Sequence, residues 1–323
     1  LVGTGAYVES DAEDGISHFI EHMMFKGTQK RTAFAISDEM DRIGAQTNAF
    51  TGKDITCYYA KSTTENAAAA FEILADLFLN SAFPEEEMAR EKNVIIEEIS
   101  MNEDTPDDLC LDLLSEAYYG REGYGRNILG TRENVLGFTR SDVDRYMKAR
   151  YTSDNIVISM AGNISVQLAE ELAEKYFGGL PATHADKRVI GVSARHRSLV
   201  KHKDIEQVHI ALAWPSVTRD DRLYDAVRIM NSVLGGSMSS RLFQEVREKL
   251  GLAYTVYSYN SAYADTGTLV VYAGVNAKNY LRSVDAVKKC IDDVKGGKIG
   301  REEFERGREQ LKASSVFAQE STS

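Results

Sequence analysis

Cysteine is scarce. The three residues, Cys57, Cys110 and Cys290, lie far apart and show no CxxC spacing. An odd, scattered set argues against a disulfide framework or a thiolate zinc site, and suits a reducing compartment such as the cytoplasm. Long apolar runs are missing too. Nothing approaches the ~18 residues of a membrane span, and no signal peptide is visible. The chain opens at Leu1 without an initiator Met, which leaves room for a removed leader. Basic charge is in deficit, with 38 Lys and Arg against 49 Asp and Glu and a net charge of -11. That balance argues against nucleic acid, whose phosphates need a basic face. It suits neutral or basic peptides as substrates.

What is present is a chain of 323 residues, 43% of them hydrophobic. Single cores stop growing near ~250–300 residues, so about two domains are expected. Strands are expected at Ala6–Glu9, Gln46–Thr51, Ile55–Lys61 and Asn155–Ala161. Helices are expected at Ile16–Phe25 (Asp14 as N-cap, Gly27 as stop), Phe34–Ile43, Thr64–Leu79, Pro84–Met101, Pro106–Tyr118, Ser141–Ala149 and Val166–Tyr176. Glu85, Glu86 and Glu87 in the first turn of Pro84–Met101 favour the positive end of its dipole.

The polar stretch Gly179–Arg197, with Pro181 and Gly191, reads as a linker. After it the order of elements restarts. Strands are expected at Val208–Trp214, Tyr254–Tyr259 and Leu269–Gly274. Helices are expected at Leu223–Leu234, Arg241–Lys249, Tyr280–Val294 and Arg301–Ser314. The expected division is therefore a first domain over 1–180, a linker over 181–198 and a related second domain over 199–323. In the second copy Ala226, Ile229 and Met230 stand where the first has His18, Glu21 and His22. Arg308 and Ser315 stand where it has Glu91 and Glu98. Nothing in the second copy matches Pro106–Phe177, so a chain cut short at its C-terminus is expected.

The chemistry concentrates in Gly15-Ile16-Ser17-His18-Phe19-Ile20-Glu21-His22-Met23-Met24-Phe25-Lys26-Gly27-Thr28. On a helix, positions 18, 21 and 22 fall within about 100° of arc. Two imidazoles and one carboxylate then project into one space. His at i and i+4 can hold one Zn²⁺, and Glu21 can reach a water beside it. His-x-x-Glu-His is the inverted zincin pattern. A catalytic zinc needs a third protein ligand and an open position. Glu91, Glu97 and Glu98 are the candidates. Glu91 and Glu98 are seven apart and share a face that also carries Val94 and Ile95, whereas Glu97 points about 100° away. Periodicity alone leaves open that all three are solvated surface charges.

With these residues in view, the chain resembles the pitrilysin-type (insulinase) metallopeptidases over essentially its whole length. It looks closest to the short bacterial members and to the β subunit of mitochondrial processing peptidase. The segment His18–Thr28 matches the family's hallmark nearly residue for residue. The resemblance implies one zinc per chain, with His18, His22 and Glu98 as ligands and Glu21 as catalytic base. It implies Glu91 as a carboxylate supporting a zinc-binding His. Asn48-Ala49-Phe50-Thr51 resembles the strand that pairs with substrate backbone, which implies Asn48, Ala49 and Phe50 as substrate-binding residues. The run Arg241–Tyr254 resembles the second-domain signature, in which Arg247 and Tyr254 match residues that hold the scissile region. One loop departs from the pattern: Arg121–Gly130 lacks the His-Pro-containing stretch of many relatives.

The implied fold is α+β, with two related domains, each an antiparallel sheet packed with helices, facing each other across a chamber. The implied functions are an endo- or oligopeptidase acting on unfolded peptides, or a processing peptidase that trims basic leaders as a homo- or heterodimer. The alternative is a non-catalytic scaffold subunit of the same fold, which the intact His18, Glu21, His22 and Glu98 set disfavours.

Overall fold

The computed structural model describes residues 1–185 and 193–320. By packing, the chain forms two compact units. One comprises Leu1–Asn102 and the run from Gly120 towards the linker. The other comprises Glu103–Tyr119 and the run that follows the linker. The stretches 181–185 and 193–198 carry neither helix nor strand, while the rest of the expected linker, Gly191 included, lies outside the described residues.

The first unit is built on helices α1 (Ile16–Met24), α2 (Ala33–Arg42), α3 (Ala67–Asn80) and most of α4 (Glu85–Asp104), with one strand pair, β1 (Gln46–Thr51) and β2 (Thr56–Lys61). The strands run antiparallel, from Gln46 opposite Lys61 to Thr51 opposite Thr56. In α1, Ile16, Phe19, Ile20, Met23 and Met24 recur at helical spacing and are fully buried. Burying each such side chain is worth about 1.5–3 kcal/mol. They meet Ile36, Met40, Leu77, Ile95, Val143 and Tyr146 in a single core. The stripe leaves 18, 21 and 22 on another face of α1.

The second unit takes in α5 (Pro106–Tyr119), although that helix lies inside the 1–180 span. The first unit continues with α6 (Arg132–Gly137), α7 (Arg140–Arg150) and α8 (Val166–Phe177). The second continues with β3 (Gln207–Ser216), α9 (Tyr224–Gly235), a π-helix over Phe243–Lys249, β4 (Ala253–Ala262), β5 (Gly267–Asn276), α10 (Tyr280–Lys295) and α11 (Arg301–Gln319). Its sheet is antiparallel in the order β3-β5-β4. The central strand is buried from Gly267 to Val275. It reads as a nearly continuous apolar run because α10 packs on it and α5 packs on its neighbour β3.

Three expectations need correction. Ala6–Glu9 is not a strand: Ala6–Val8 is a short 3₁₀ turn. The amides of Ala6 and Tyr7 bond to the carbonyls of Gly52 and Lys53, and the turn brings Glu9 back to the start of α1. Asn155–Ala161 is not a strand either. Ser153–Asn155 is a 3₁₀ turn, and only Ile156 makes an isolated bridge, to Val2. A strand exists only where a ladder of partners exists, and among the described residues the backbone partners here are Leu1–Gly3 alone. Finally, Asp14 is not the N-cap of α1. Gly15 is, with no side-chain cap of its own. Helix α6 was not expected at all; Thr131, whose hydroxyl accepts from the Asn134 amide, is the local signal for it.

Gly15 carries φ +94°, and a Cβ there would meet Leu129 O at 2.7 Å and Gly130 Cα at 2.8 Å. Gly44 also has positive φ, but a Cβ there meets nothing within 4 Å. We expect Gly15→Ala to lose about 2–3 kcal/mol or more of stability and Gly44→Ala only about 1 kcal/mol. Urea unfolding of the two variants side by side checks this; equal losses would show that the Gly15–Gly130 approach does not matter.

Candidate metal centre

The start of α1 is held by a carboxylate from outside the helix. Glu9, fully buried, accepts hydrogen bonds from the amides of Gly15 at 2.8 Å and Ser17 at 2.9 Å. These are amides that a helix leaves unpaired at its N-terminus. The Ser17 hydroxyl meets the Tyr146 hydroxyl at 2.8 Å, which in turn meets the Thr4 hydroxyl at 2.7 Å. The helix carrying 18, 21 and 22 is thus anchored at its first turn by buried polar contacts and along its back by the apolar stripe.

Helix α4 brings two acidic side chains to the imidazoles. Glu91, 5% exposed, bonds His22 Nδ1 through Oε1 at 2.8 Å and Lys26 Nζ through Oε2 at 2.5 Å. One two-turn step along α4, Glu98 Oε2 lies 3.7 Å from His18 Nε2 and 3.5 Å from His22 Nε2. The two Nε2 atoms are 3.2 Å apart. Glu97 is exposed to solvent. Val94, expected on the apolar part of this face, is 46% exposed, and only Ile95 is buried.

These separations fit a metal ion. Four ligands at about 2.0–2.1 Å around tetrahedral zinc stand roughly 3.3 Å from one another, close to the 3.2, 3.5 and 3.7 Å found here. Among the described residues, His18, His22 and Glu98 are the one group of three or more His, Cys, Asp or Glu able to hold a metal. The Glu91 carboxylate fixes the His22 ring through Nδ1, leaving Nε2 facing the other donors. His18 Nδ1 is buried without a partner, so that ring lacks the corresponding support.

The electrostatics of the two imidazoles and the carboxylates around them differ. Burial, with the nearby His22, pushes His18 down to about 3, so it is neutral at physiological pH. Burial would lower His22 as well, but the bond to Glu91 and the charges of Glu98, Glu21 and Glu91 outweigh it and raise its pKa. Burial would raise Glu91, but its bonds to His22 and Lys26 hold it below the usual carboxylate range. Glu21 is raised, mainly by burial, against the lowering effect of the Thr51 hydroxyl, which donates to its Oε2 at 2.7 Å.

Asn48, Ala49 and Phe50 lie on β1, which has no second neighbour among the described residues. Pairing alternation turns the backbone of Ala49 to that outer edge. There its amide is occupied by the Asn48 side-chain oxygen at 2.8 Å, and the Phe50 ring is 47% exposed. Arg247 and Tyr254 belong to the second unit. The Arg247 guanidinium lies 5.3 Å from the Tyr254 ring centre and 4.6 Å from that of Phe243. The segment expected as an ordinary helix over Arg241–Lys249 is π-helical from Phe243.

Three contributors escaped the sequence reading. Thr51 closes the Asn48–Thr51 motif but was not marked as a partner of Glu21. Lys26, four residues after His22, had the helical spacing that could have flagged it. Glu9 had no local signal, since its bonds depend on a turn read as a strand.

Fold and site together define a class of α+β two-domain peptidases with an inverted His-x-x-Glu-His helix. Residues 1–132 match the family described as Insulinase (Peptidase family M16), and residues 137–311 match the Peptidase M16 inactive domain. The chain belongs to this insulinase family. It is 44% identical over 322 residues to YmxG of Bacillus subtilis, named an uncharacterized zinc protease, covering 99% of this chain and 78% of that protein. A Rickettsia felis protein, also named an uncharacterized zinc protease, is 37% identical over 322 residues, covering 99% and 77%. Among solved structures, a protease from Helicobacter pylori superposes with a TM-score of 0.90 at 24% identity, covering 99% of this chain and 80% of that one. A peptidase M16 inactive domain from Pseudomonas fluorescens gives 0.87 at 22%, covering 98% and 79%. At these identities the two structures speak for the fold.

Glu9 supplies a pH test of the anchor. Burial raises its pKa from 4.5 to about 7, against the lowering effect of the Gly15 and Ser17 bonds. The folded state therefore holds a proton that the unfolded chain gives up. The resulting stability, about 3 kcal/mol, is full below about pH 4.5 and is lost as pH rises through about 7. Comparing urea midpoints at about pH 5 and about pH 8, Glu9→Gln should show a smaller drop than the parent chain. An unchanged drop would place the titration elsewhere.

Proposed function

We propose that this chain is a zinc-dependent endopeptidase acting on unfolded peptides or leader segments. The observation that carries the reading is the triad of His18 and His22 on α1 with Glu98 on α4, with Glu21 one turn from His18 on the same helix. Zinc held there would supply a Lewis acid that activates water and polarises the scissile carbonyl. Glu21 takes the proton of the attacking water and returns it to the leaving amine. Its raised pKa suits a group that must hold that proton briefly near neutral pH, and Thr51 aims the carboxylate. Glu91 keeps the His22 ring in the orientation that presents Nε2.

A substrate strand would add to the outer edge of β1, displacing the Asn48 side chain from the Ala49 amide. Backbone pairing of this kind accepts many sequences and leaves selectivity to side-chain pockets. Arg247 and Tyr254 then serve binding, and the excess of acidic residues favours basic peptides. No helix among the described residues is long and apolar enough to cross a membrane. The relatives named as zinc proteases support the metal and the reaction class.

Three substitutions separate the roles. Glu98→Gln should weaken zinc binding at least ~10-fold, while Glu97→Gln retains one zinc per chain; metal analysis in which only Glu97→Gln loses zinc would overturn the ligand assignment. Glu21→Gln should keep zinc and lose peptide cleavage by at least ~10²-fold. Cleavage at the parental rate would remove Glu21 from the mechanism, and a metal-loaded parent chain that cleaves no unfolded peptide would favour the scaffold reading.

A further inference from the structure

Three lines of side chains run along α4. Met88, Ile95 and Ile99 are buried and face the core. Glu91 and Glu98 form the next line. Val94 and Met101 form the third, about 60° further round the helix and away from the core. They are 46% and 66% exposed. Of the described residues exposed on α4, the rest are polar or, at Ala89, small.

The third line brackets Glu98. Val94 stands one turn before it and Met101 one turn after. Helical side chains lean towards the N-terminus, so Met101 reaches back over the turn that carries Glu98. The Glu98 side chain is itself 32% exposed, against 6% for Glu91, so the centre opens at this end of the acidic line. On α1, Glu21 turns to Thr51 of β1 at 2.7 Å and His22 turns to Glu91 of α4 at 2.8 Å. The donors therefore lie between the edge strand β1 and α4. A peptide that pairs with β1 and reaches the centre has Val94 and Met101 on its far side.

We propose that Val94 and Met101 set the substrate preference of this centre by seating a large apolar side chain (Leu, Met or Phe) next to the scissile bond. The proposal rests on the peptidase reading of the site and adds the class of residue it prefers. Apolar side chains in water gain free energy only when another apolar group covers them, in proportion to the area covered. An alanine in the substrate covers little of this pair. A larger side chain covers both, since methionine is flexible and fits itself to the shape it meets.

This preference is separate from the attraction of basic peptides to an acidic chain. That attraction acts over distance through the net charge of -11 and fades with salt. The seat acts by contact at the residue beside the cut, so it survives high salt. Glu97, exposed and about 40° beyond Met101 on the helix, lies outside the seat.

The test uses unstructured, fluorophore-labelled peptides of Gly, Ser and Asn that carry one central Leu, or Ala or Lys in its place, at high salt. The zinc-loaded parent chain should cut the Leu peptide at a bond beside the Leu, located by mass spectrometry. Its kcat/KM should exceed those for the Ala and Lys peptides at least ~10-fold. Glu21→Gln, zinc-loaded, should bind the three in the same order by fluorescence anisotropy. With Val94→Ser and Met101→Gln added to either chain, zinc content should stay at the parental level while the Leu-to-Ala ratio falls to ~3 or less. A ratio that these two substitutions leave unchanged would overturn the proposal. So would a preference for Ala or Lys, the latter giving the position to Glu97. A parent chain that cuts no peptide, while Glu21→Gln discriminates through Val94 and Met101, would overturn the peptidase reading and uphold the seat. Binding without discrimination would overturn the seat whether or not the parent cleaves.

Discussion

The contact on which the centre depends is the one between Glu91 of α4 and the His22–Lys26 pair of α1. A carboxylate that is 5% exposed is costly unless it is paired. Here it is paired twice, with an imidazole and an ammonium one helical turn apart. Breaking either bond would leave a buried charge short of a partner, so the two helices are held at one rotation relative to each other. That rotation brings Glu98, two turns further along α4, opposite His18 and His22. The apolar stripe of α1 and the buried Ile95 of α4 bring the helices together, and the polar pair sets their angle and register.

The second unit shows the same helix order without that pair. α11 packs on α9 through Gly307, where an added Cβ would lie 3.2 Å from Val233 Cγ2 and 3.3 Å from Ile229 O. Ser232 donates to Gln310 beside it. Close apolar packing through a glycine and one neutral hydrogen bond replace a buried charge network, and Arg308 faces solvent. An interface of that kind holds two helices together but offers no set of donors that could bind an ion.

How much of this was readable beforehand follows from what each feature depends on. β1 was read to the residue, and most helices to within a few residues, because their signals are local: apolar spacing, Thr or Ser caps, glycine stops. The 3₁₀ turn at Ala6–Val8 defeated the same reading, since its conformation follows from bonds to Gly52 and Lys53. The stretch 155–161 defeated it for a related reason. Its residues favour a strand, but a strand also needs neighbours, and among the described residues only Leu1–Gly3 pair with its backbone.

The sequence by itself determined that His18, Glu21 and His22 share one face of a helix, because 3.6-residue periodicity follows from local backbone geometry alone. It also determined that Glu91 and Glu98 lie on one face and Glu97 on another. Only the tertiary structure decided that this face of α4 meets that face of α1, so that one carboxylate steadies a ring while the other joins the donors. It decided as well that Thr51 reaches Glu21 and that Glu9 anchors the first turn. Those outcomes rest on contacts across 30, 69 and 76 positions of chain, and on a turn that bends back on itself, where no local pattern can reach.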